Sequence, residues 1–158
     1  MIIRKAEHKD VNQIVHIFHE TIHQINCEHY SPEQIQAWSP DYPESEKWYQ
    51  KRIQAQTTFI AEKNSIILGF GEFESNGHLD CLYCHNEYIR QGIGSALLKR
   101  IEKEAFMLGM KTIYTESSIT ALPFFEAHDF TISKEQYVLR AGIMLKNFKM
   151  EKILTSCK

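Results

Sequence analysis

The feature that most constrains the fold is a largely apolar segment that leads through a glycine-containing turn into a long amphipathic helix. The segment covers His78 to His85, and Gly92 and Gly94 lie in the turn. A helical pattern follows from Gly94 to Leu108 and ends before Gly109, which suits a left-handed C-cap. Its apolar stripe consists of Leu97, Leu98, Ile101, Ala105 and Leu108. The sequence therefore predicts a strand followed by a helix whose N-terminus faces the turn.

The rest of the chain alternates between short strands and helices with recognisable boundaries. Asp10 predicts the N-cap of a first helix, and Ser31 to Gln34 forms a capping box that opens a helix leading to Trp38. Apolar runs separated by short polar turns predict an antiparallel meander, and Ala141-Gly142 predicts a hairpin turn. The predicted strands are Ile2 to Lys5, Thr58 to Glu62, Ile66 to Glu74, His78 to His85, Lys111 to Glu116, Phe130 to Arg140 and Ile143 to Lys152, and the other predicted helices are Lys47 to Ala55 and Ala121 to His128.

Length and charge favour one soluble domain. A chain of 158 residues can bury a core without help from disulfides or a structural metal, so we expect a single domain over residues 1–158. With 18 Lys and Arg scattered among 20 Asp and Glu, the chain has no basic stripe for nucleic acid. It has no run of about eighteen apolar residues, which a membrane span requires, and the sequence shows no apolar leader segment. We expect a cytoplasmic protein that binds neither nucleic acid nor membrane.

The cysteines are expected to be reduced thiols. Cys81 and Cys84 lie on one predicted strand with Cα atoms roughly 10 Å apart, too far for a disulfide. The other two cysteines are Cys27 and Cys157.

The turn before the long helix has the features of a phosphate site. The N–H groups at a helix N-terminus favour an anion, and glycines at positions 92 and 94 leave the backbone open to it. Arg90 would add a charged donor. A tight turn with no ligand explains the same glycines, and a nicotinamide dinucleotide site is a second alternative, with Glu116 near the position of a ribose-binding acid. That alternative lacks a small third residue, because Leu97 stands there.

Two segments carry a resemblance to a known family. Leu82 to Leu98 resembles motif A of the GNAT superfamily of acyl-CoA N-acyltransferases, and Ser118 to Phe130 resembles the superfamily's second signature. The order of elements matches over nearly the whole chain. His29 to Trp38, together with Asn147 to Met150, further resembles the bacterial branch called YafP-like.

The resemblance implies a GNAT-like α/β (α+β) fold, with a mixed, mostly antiparallel twisted sheet of about seven strands flanked by helices on both faces. It implies an N-acetyltransferase that moves the acetyl group of acetyl-CoA to a primary amine by direct attack in a ternary complex, without a metal. The acceptor would be a small-molecule or peptide amine, and the enzyme a monomer or homodimer.

The resemblance also places the cofactor and the acceptor. The pyrophosphate would lie on the backbone of Gln91 to Ser95 and the pantetheine arm beside Leu82 to Cys84, while His29, Tyr30 and Trp38 would shape the acceptor pocket. The residues expected to bind acetyl-CoA are Leu82, Tyr83, Cys84, Arg90, Gln91, Gly92, Ile93, Gly94, Ser95, Ser118, Phe124 and Phe125.

Three positions depart from the family pattern: Ile89 replaces a common Gln or Arg, Ser118 an Asn, and Phe125 a frequent Tyr. That tyrosine usually gives a proton to the departing CoA thiolate, which phenylalanine cannot do. Water or another tyrosine would then serve, and the candidates are Tyr137, Tyr114 and Tyr30.

Attack by an alkyl amine, whose pKa is about 10, also requires a base. Strand alternation predicts that His78 and Asp80 share a face with Leu82 and Cys84. Asp80 is the leading candidate, followed by His78. Glu72 lies on the same face as Glu74 and would either act through water or occupy an exposed strand edge.

Other functions remain open at this point. His19 to His23 matches the zinc-peptidase pattern HExxH, and Cys81 to His85 matches the haem-attachment pattern CxxCH. The apolar stripe through Phe18 and Ile22 leaves His19 and His23 on the polar side of their helix, which favours a chance match. A CoA-binding regulatory domain without activity is a further alternative.

Overall fold

The computed structural model describes residues 1–155, which form seven strands and five α-helices. The strands are β1 Ile2–Lys5, β2 Thr57–Lys63, β3 Ile66–Phe73, β4 Leu79–Cys84, β5 Thr112–Ser118, β6 Thr131–Arg140 and β7 Ile143–Ile153. The helices are α1 Val11–Gln24, α2 Pro32–Trp38, α3 Ser45–Trp48, α4 Ile93–Met107 and α5 Leu122–Ala127. No helix in this part of the chain is long and apolar enough to cross a membrane.

The strands form two antiparallel sheets, ordered β1-β2-β3-β4 and β5-β7-β6. Parallel contacts join the sheets at the start of β4 and β5, where Tyr114 N donates to Gly77 O at 3.0 Å and Thr115 Oγ1 donates to Leu79 O at 2.9 Å. Beyond these contacts the two strands belong to separate sheets, which leaves a cleft between their C-terminal halves. The prediction of about seven mostly antiparallel strands is confirmed, and the division into two sheets is the new information.

Helices cover both faces of the first sheet. On one face, α4 packs Leu97 and Ile101 against β2, β3 and β4 in a core that continues to Phe148 of β7. On the other face, α1 packs Ile14 against Phe70 of β3 in a second core. The predicted placement of helices on both faces is confirmed.

Local sequence signals predicted most elements correctly, and two helices differ from the prediction. Ser31 and Gln34 form the predicted capping box at α2, with Gln34 N donating to Ser31 Oγ at 3.2 Å. Asp10 occupies the N-cap position of α1, but its carboxylate accepts hydrogen bonds from Arg4 at 2.8 and 2.9 Å instead of capping the helix. The helix predicted over Lys47 to Ala55 is the short α3 followed by a π-helical turn over Tyr49–Ile53.

A β-bulge at Asp80 changes the predicted faces of β4. Glu72 pairs with Cys81, while the next residue of β3 pairs with Leu79, so Asp80 has no partner on β3. Arg52 Nη2 lies 2.7 Å from Asp80 Oδ2 and 3.1 Å from Cys81 Sγ. Asp80 therefore shares the face of Cys81, and the prediction that it shares a face with Leu82 and Cys84 was wrong, because simple alternation assumes an unbroken register.

The thiols of Cys81 and Cys84 belong to different cores on opposite faces of the sheet, and both are free, as is Cys27. Cys157 lies outside the described residues.

Candidate active site

The turn before α4 is open at its first glycine and tightly packed at its second. Gly92 is the N-cap of α4 with φ of 80°, and no heavy atom lies within 4 Å of the place where its Cβ would stand. A Cβ on Gly94 would lie 3.2 Å from Phe124 Cε1 and 3.4 Å from Cys84 Sγ. Gly92 thus leaves room for a ligand at the helix N-terminus, whereas Gly94 allows α4, α5 and β4 to pack closely. The expected reason for the second glycine was therefore wrong.

The first turn of α4 is tied to α5 through a histidine. His128 Nδ1 lies 2.8 Å from Phe124 O and His128 Nε2 lies 2.9 Å from Ser95 Oγ. A carbonyl oxygen only accepts, so Nδ1 carries the proton and Ser95 donates to Nε2. Arg90 and Gln91 are exposed beside the turn, and Ile93 is buried beneath it. The residues predicted to hold a pyrophosphate therefore surround one exposed helix N-terminus.

The cleft between β4 and β5 contains a narrow cavity of about 160 Å³. Leu82, Tyr83 and Cys84 line one side, and Ser118 lines the other. Ser118 Oγ accepts a hydrogen bond from Ala121 N at 3.0 Å, which fixes the entry to α5. Phe125 also lines this cavity, so the phenylalanine that replaces the family tyrosine lies beside the predicted pantetheine arm.

A second cavity of about 330 Å³ lies on the other side of Asp80. Its apolar part is formed by Phe18, Tyr30, Trp38 and Tyr83, and its polar part includes Arg52, His78, Gln136, Arg140 and Asn147. Six residues line both cavities, and we call this set the junction: Trp38, Asp80, Cys81, Tyr83, Glu116 and Ser118. A group bound in one cavity can meet a group bound in the other at the junction.

Asp80 at the junction belongs to a partly buried ionic cluster. Arg52 Nε donates to Glu72 Oε1 at 2.6 Å, and Arg52 Nη2 donates to Asp80 Oδ2 at 2.7 Å. The Glu72 side chain has no exposed surface, and burial raises its pKa. Glu72 is not at an exposed strand edge, which the sequence had left open. Glu72 binds the same guanidinium as Asp80 and therefore helps to hold Arg52 against the Asp80 carboxylate.

His78 links the junction to a second acidic pair. Its Nδ1 lies 2.6 Å from Glu74 Oε1 and its Nε2 lies 2.7 Å from Glu116 Oε2. The hydrogen bond to Glu116, with that to Glu74, raises the pKa of His78 to about 9, against the desolvation that lowers it. The same bond lowers the pKa of Glu116. At neutral pH His78 is therefore an imidazolium that holds two carboxylates.

This arrangement predicts a pH-dependent contribution of His78 to stability. Its folded-state pKa of about 9 exceeds the ordinary value of 6.5, so the stabilisation is present below about pH 6.5 and is lost as pH rises through about 9. We expect the free energy of unfolding of the native protein to fall by about 2 kcal/mol more between about pH 7 and 9 than that of His78→Gln. Urea denaturation across this range measures the difference, and parallel curves for the two proteins would contradict the assignment.

Of the remaining predicted site residues, some line a cavity and others do not. Tyr30 and Trp38 line the larger cavity, whereas His29 is exposed, with Nδ1 3.0 Å from Thr120 Oγ1. Tyr30 OH donates to Lys146 O at 2.7 Å and accepts from Ile119 N at 2.9 Å, so its hydroxyl is already engaged. Tyr137 is 62% exposed and lines neither cavity. The structure does not bring Tyr137 to the junction.

Two junction features were missed or misread from the sequence. Arg52 was not considered, although a carboxylate at position 72 inside an apolar strand signals a buried cation partner. Glu116 was weighed only as a ribose-binding acid, yet it lies across the cleft from Asp80. A dinucleotide fold also requires a parallel sheet, and both sheets here are antiparallel.

The HExxH histidines are engaged with the loop after α2. His23 Nε2 lies 2.7 Å from Ser39 O, so this nitrogen donates to the carbonyl and is not available to a metal. His19 Nδ1 lies 2.7 Å from Ser39 Oγ. Tyr42 OH donates to Glu20. Within residues 1–155 the ligand atoms close enough to share a metal ion belong to Glu74, His78 and Asp80. His78 already donates from both nitrogens there, so this group does not suit a metal either.

Comparison with known proteins agrees with this geometry. The model of the acetyltransferase (GNAT) domain matches residues 26–153. The uncharacterized N-acetyltransferase YafP of Escherichia coli (strain K12) is 34% identical over 148 residues, which cover 94% of this chain and 93% of that protein.

Solved structures show the same fold. The crystal structure of a GCN5-related N-acetyltransferase from Rhodopseudomonas palustris has a TM-score of 0.91 and 27% identity, and the match covers 97% of this chain and 95% of that one. The structure of yncA from Salmonella typhimurium, a putative acetyltransferase with its cofactor acetyl-CoA, has a TM-score of 0.75 and 19% identity, with coverage of 100% and 96%. With the family model and the YafP relative, these matches establish that the chain belongs to the GNAT acetyltransferase family, as a YafP-like member.

Proposed function

We propose that this enzyme transfers the acetyl group of acetyl-CoA to a primary amine by direct attack at the junction. The observation that carries the proposal is the meeting of two cavities, one leading from the phosphate turn and one lined by aromatic and polar side chains, at Asp80 and Glu116. The yncA structure holds acetyl-CoA, and the PaiA N-acetyltransferase of Thermoplasma acidophilum was solved with coenzyme A. Both proteins share this fold, which supports the choice of co-substrate.

Residues of the turn and cleft would bind the cofactor. N–H groups at the start of α4 would accept the pyrophosphate beside Gly92, with Arg90 as a charged donor. The pantetheine arm would lie along Leu82 to Cys84, facing Ser118 and Phe125. In this proposed arrangement the thioester would lie at the junction.

Direct attack is favoured over an acetylated enzyme. A covalent route needs a thiolate, and Cys81 and Cys84 are the thiols that line the cleft. Burial raises the pKa of Cys84 to about 11, and burial also raises the pKa of Cys81 well above its ordinary value. Both remain protonated at neutral pH, so the amine itself would attack.

In the proposed step, a carboxylate accepts a proton from the ammonium form of the acceptor. The carboxylate releases this proton to water, and the amine nitrogen then forms a bond to the thioester carbonyl carbon. As the C–S bond breaks and the CoA thiolate leaves, the nitrogen gives its second proton to the same carboxylate, which yields the neutral amide. Asp80 is the proposed base, since it lines both cavities and only its Oδ2 is held by Arg52. His78 is already protonated, so we assign it a positioning role toward Glu116.

The leaving thiolate has an ordinary pKa of about 8.5 and can take its proton from water. Phe125 cannot donate one, and the Tyr30 hydroxyl is engaged with backbone groups on both sides. Tyr83 lines the junction, but burial raises its pKa well above 10, which makes it a poor acid. We therefore propose solvent as the proton source.

The phosphate assignment predicts the effect of Gly92→Ala on cofactor binding. A methyl group there would enter the open space in front of the helix N-terminus, and we expect the Kd for acetyl-CoA to rise roughly tenfold. Calorimetry measures this change. Gly109→Ala is the matched control, because Gly109 also has positive φ and open surroundings but lies at the other end of α4. Equal acetyl-CoA affinity in the two variants would contradict the assignment of the phosphate site to Gly92.

A binding domain without activity is the remaining alternative. It predicts acetyl-CoA binding but no release of CoA thiol with any amine. A thiol-release assay across amines of different classes tests the proposed function directly, and zinc analysis of the same preparation tests the hydrolase alternative.

A further inference from the structure

The larger cavity presents its side chains in a defined order away from the junction. Asn147 pairs with Ser118 of β5 and Gln136 of β6, and Leu145 pairs with Val138. Arg140 pairs with Ile143 at the hairpin end. Neighbouring pairs on one face of β7 are two residues apart, which is about 7 Å. The lining therefore runs from carboxylates at the junction, through an amide and an apolar stretch, to an arginine.

Asn147 lines this cavity and carries a buried acceptor that has no partner within residues 1–155. Its Oδ1 is buried and has no hydrogen-bond partner among the described residues, although the residue lines the cavity. Buried polar atoms in folded proteins are almost always paired. The missing partner must be a donor, since Oδ1 only accepts. Because Oδ1 has almost no exposed surface, a bound molecule with an N–H or O–H group supplies the partner when the amide of Asn147 turns its oxygen toward the cavity that the residue lines.

The two ends of the cavity carry opposite charge. At the junction, Arg52 binds the carboxylates of Glu72 and Asp80, and His78 binds those of Glu74 and Glu116, so four carboxylates surround two cations. A cationic amine is attracted to this end. At the far end Arg140 is exposed and forms no salt bridge within residues 1–155, while the nearby Lys146 pairs with Glu135 at 3.9 Å. An anion is attracted there.

We propose that the acceptor is a short free peptide, which deepens the proposed function and rests on it. Its α-amine would lie at the junction, an amide N–H would donate to Asn147 Oδ1, and its terminal carboxylate would bind Arg140. Tyr30, Trp38, Val138 and Leu145 would contact an apolar side chain between them. Glu116 pairs with Lys149 and Arg140 with Ile143, and these two positions of β7 are six residues apart, which is about 20 Å. An extended peptide spans about 3.3–3.6 Å per residue, so three or four residues fill this distance once the side chains at both ends reach inward. A diamine suits the cavity less well, because its second ammonium would face Arg140.

The test measures kcat/KM by CoA thiol release for three acceptors. They are glycyl-glycyl-leucine, the same peptide with a C-terminal amide, and hexylamine. We expect the free acid to exceed the amide by roughly tenfold, which is the value of one charge-assisted contact. Arg140→Gln should abolish this preference, and Arg100→Gln, which removes an arginine from the surface of α4, should preserve it.

Asn147 is tested by the ratio of peptide to hexylamine activity. Asn147→Leu should lower this ratio roughly tenfold, and Asn147→Asp should retain it because an acceptor oxygen remains. Equal activity with acid and amide, or higher activity with hexylamine than with either peptide, would overturn the peptide assignment but leave acetyl transfer intact. Thiol release with none of these amines would count against both proposals.

Discussion

Replacing Asp80 with asparagine is expected to lower kcat by roughly two to four powers of ten, the range typical of losing a general base. Asparagine retains the shape of the side chain and can still accept a hydrogen bond from Arg52, but it cannot take a proton from the acceptor amine. Acetyl-CoA affinity should stay nearly unchanged, because the phosphate turn lies on another element. Thiol release under saturating substrate measures the first quantity and calorimetry measures the second.

Glu116→Gln is the matched control for this prediction. It removes the same charge from the opposite side of the junction, where Glu116 is held by the protonated His78. A fully active Asp80→Asn enzyme with an inactive Glu116→Gln enzyme would transfer the role of base to Glu116. His78→Ala is the third variant, and similar losses in all three would indicate a relay in place of a single base.

Local sequence signals account for most of the fold. The capping box at Ser31, the apolar stripe of α4 and the left-handed Gly109 each act within a few residues, so their elements could be located before the structure was known. The division into two sheets could not, because it depends on where β4 stops pairing with β5. Their parallel bridge joins positions 78 and 114, which are 36 residues apart with α4 between them, so the pairing of these strands is a non-local property of the chain.

The candidate site was predictable where one segment forms it and not where several meet. The turn at Gly92 and the cleft residues Leu82 to Cys84 follow from one strand–turn–helix unit. The junction also requires Arg52 from a π-helical turn and Glu116 from β5. No local pattern connects them, and the bulge that turns Asp80 toward Arg52 is invisible to a rule of strict alternation.

Arg52, which binds both Asp80 and the buried Glu72, carries the largest predicted effect on stability. Arg52→Met would leave Glu72 without its cation in an interior where that carboxylate has no exposed surface. Breaking a buried ion pair in this way costs about 3–5 kcal/mol, and we expect a loss of that size in the free energy of unfolding measured in urea. Thr58 Oγ1, at 3.4 Å from Glu72 Oε2, is too weak a partner to compensate.

A double variant separates the effect of charge on stability from the effect of packing. Arg52→Met combined with Glu72→Met removes both buried charges and keeps apolar volume next to Trp48, so it should recover most of the stability that the single variant loses. Arg100→Met is the surface control, since its pair with Glu104 is partly exposed and should be worth at most about 1 kcal/mol. If Arg52→Met lowered the free energy of unfolding no more than Arg100→Met, Glu72 would be protonated in the native protein, because only a charged Glu72 needs the guanidinium. Its support of Asp80 would then be steric.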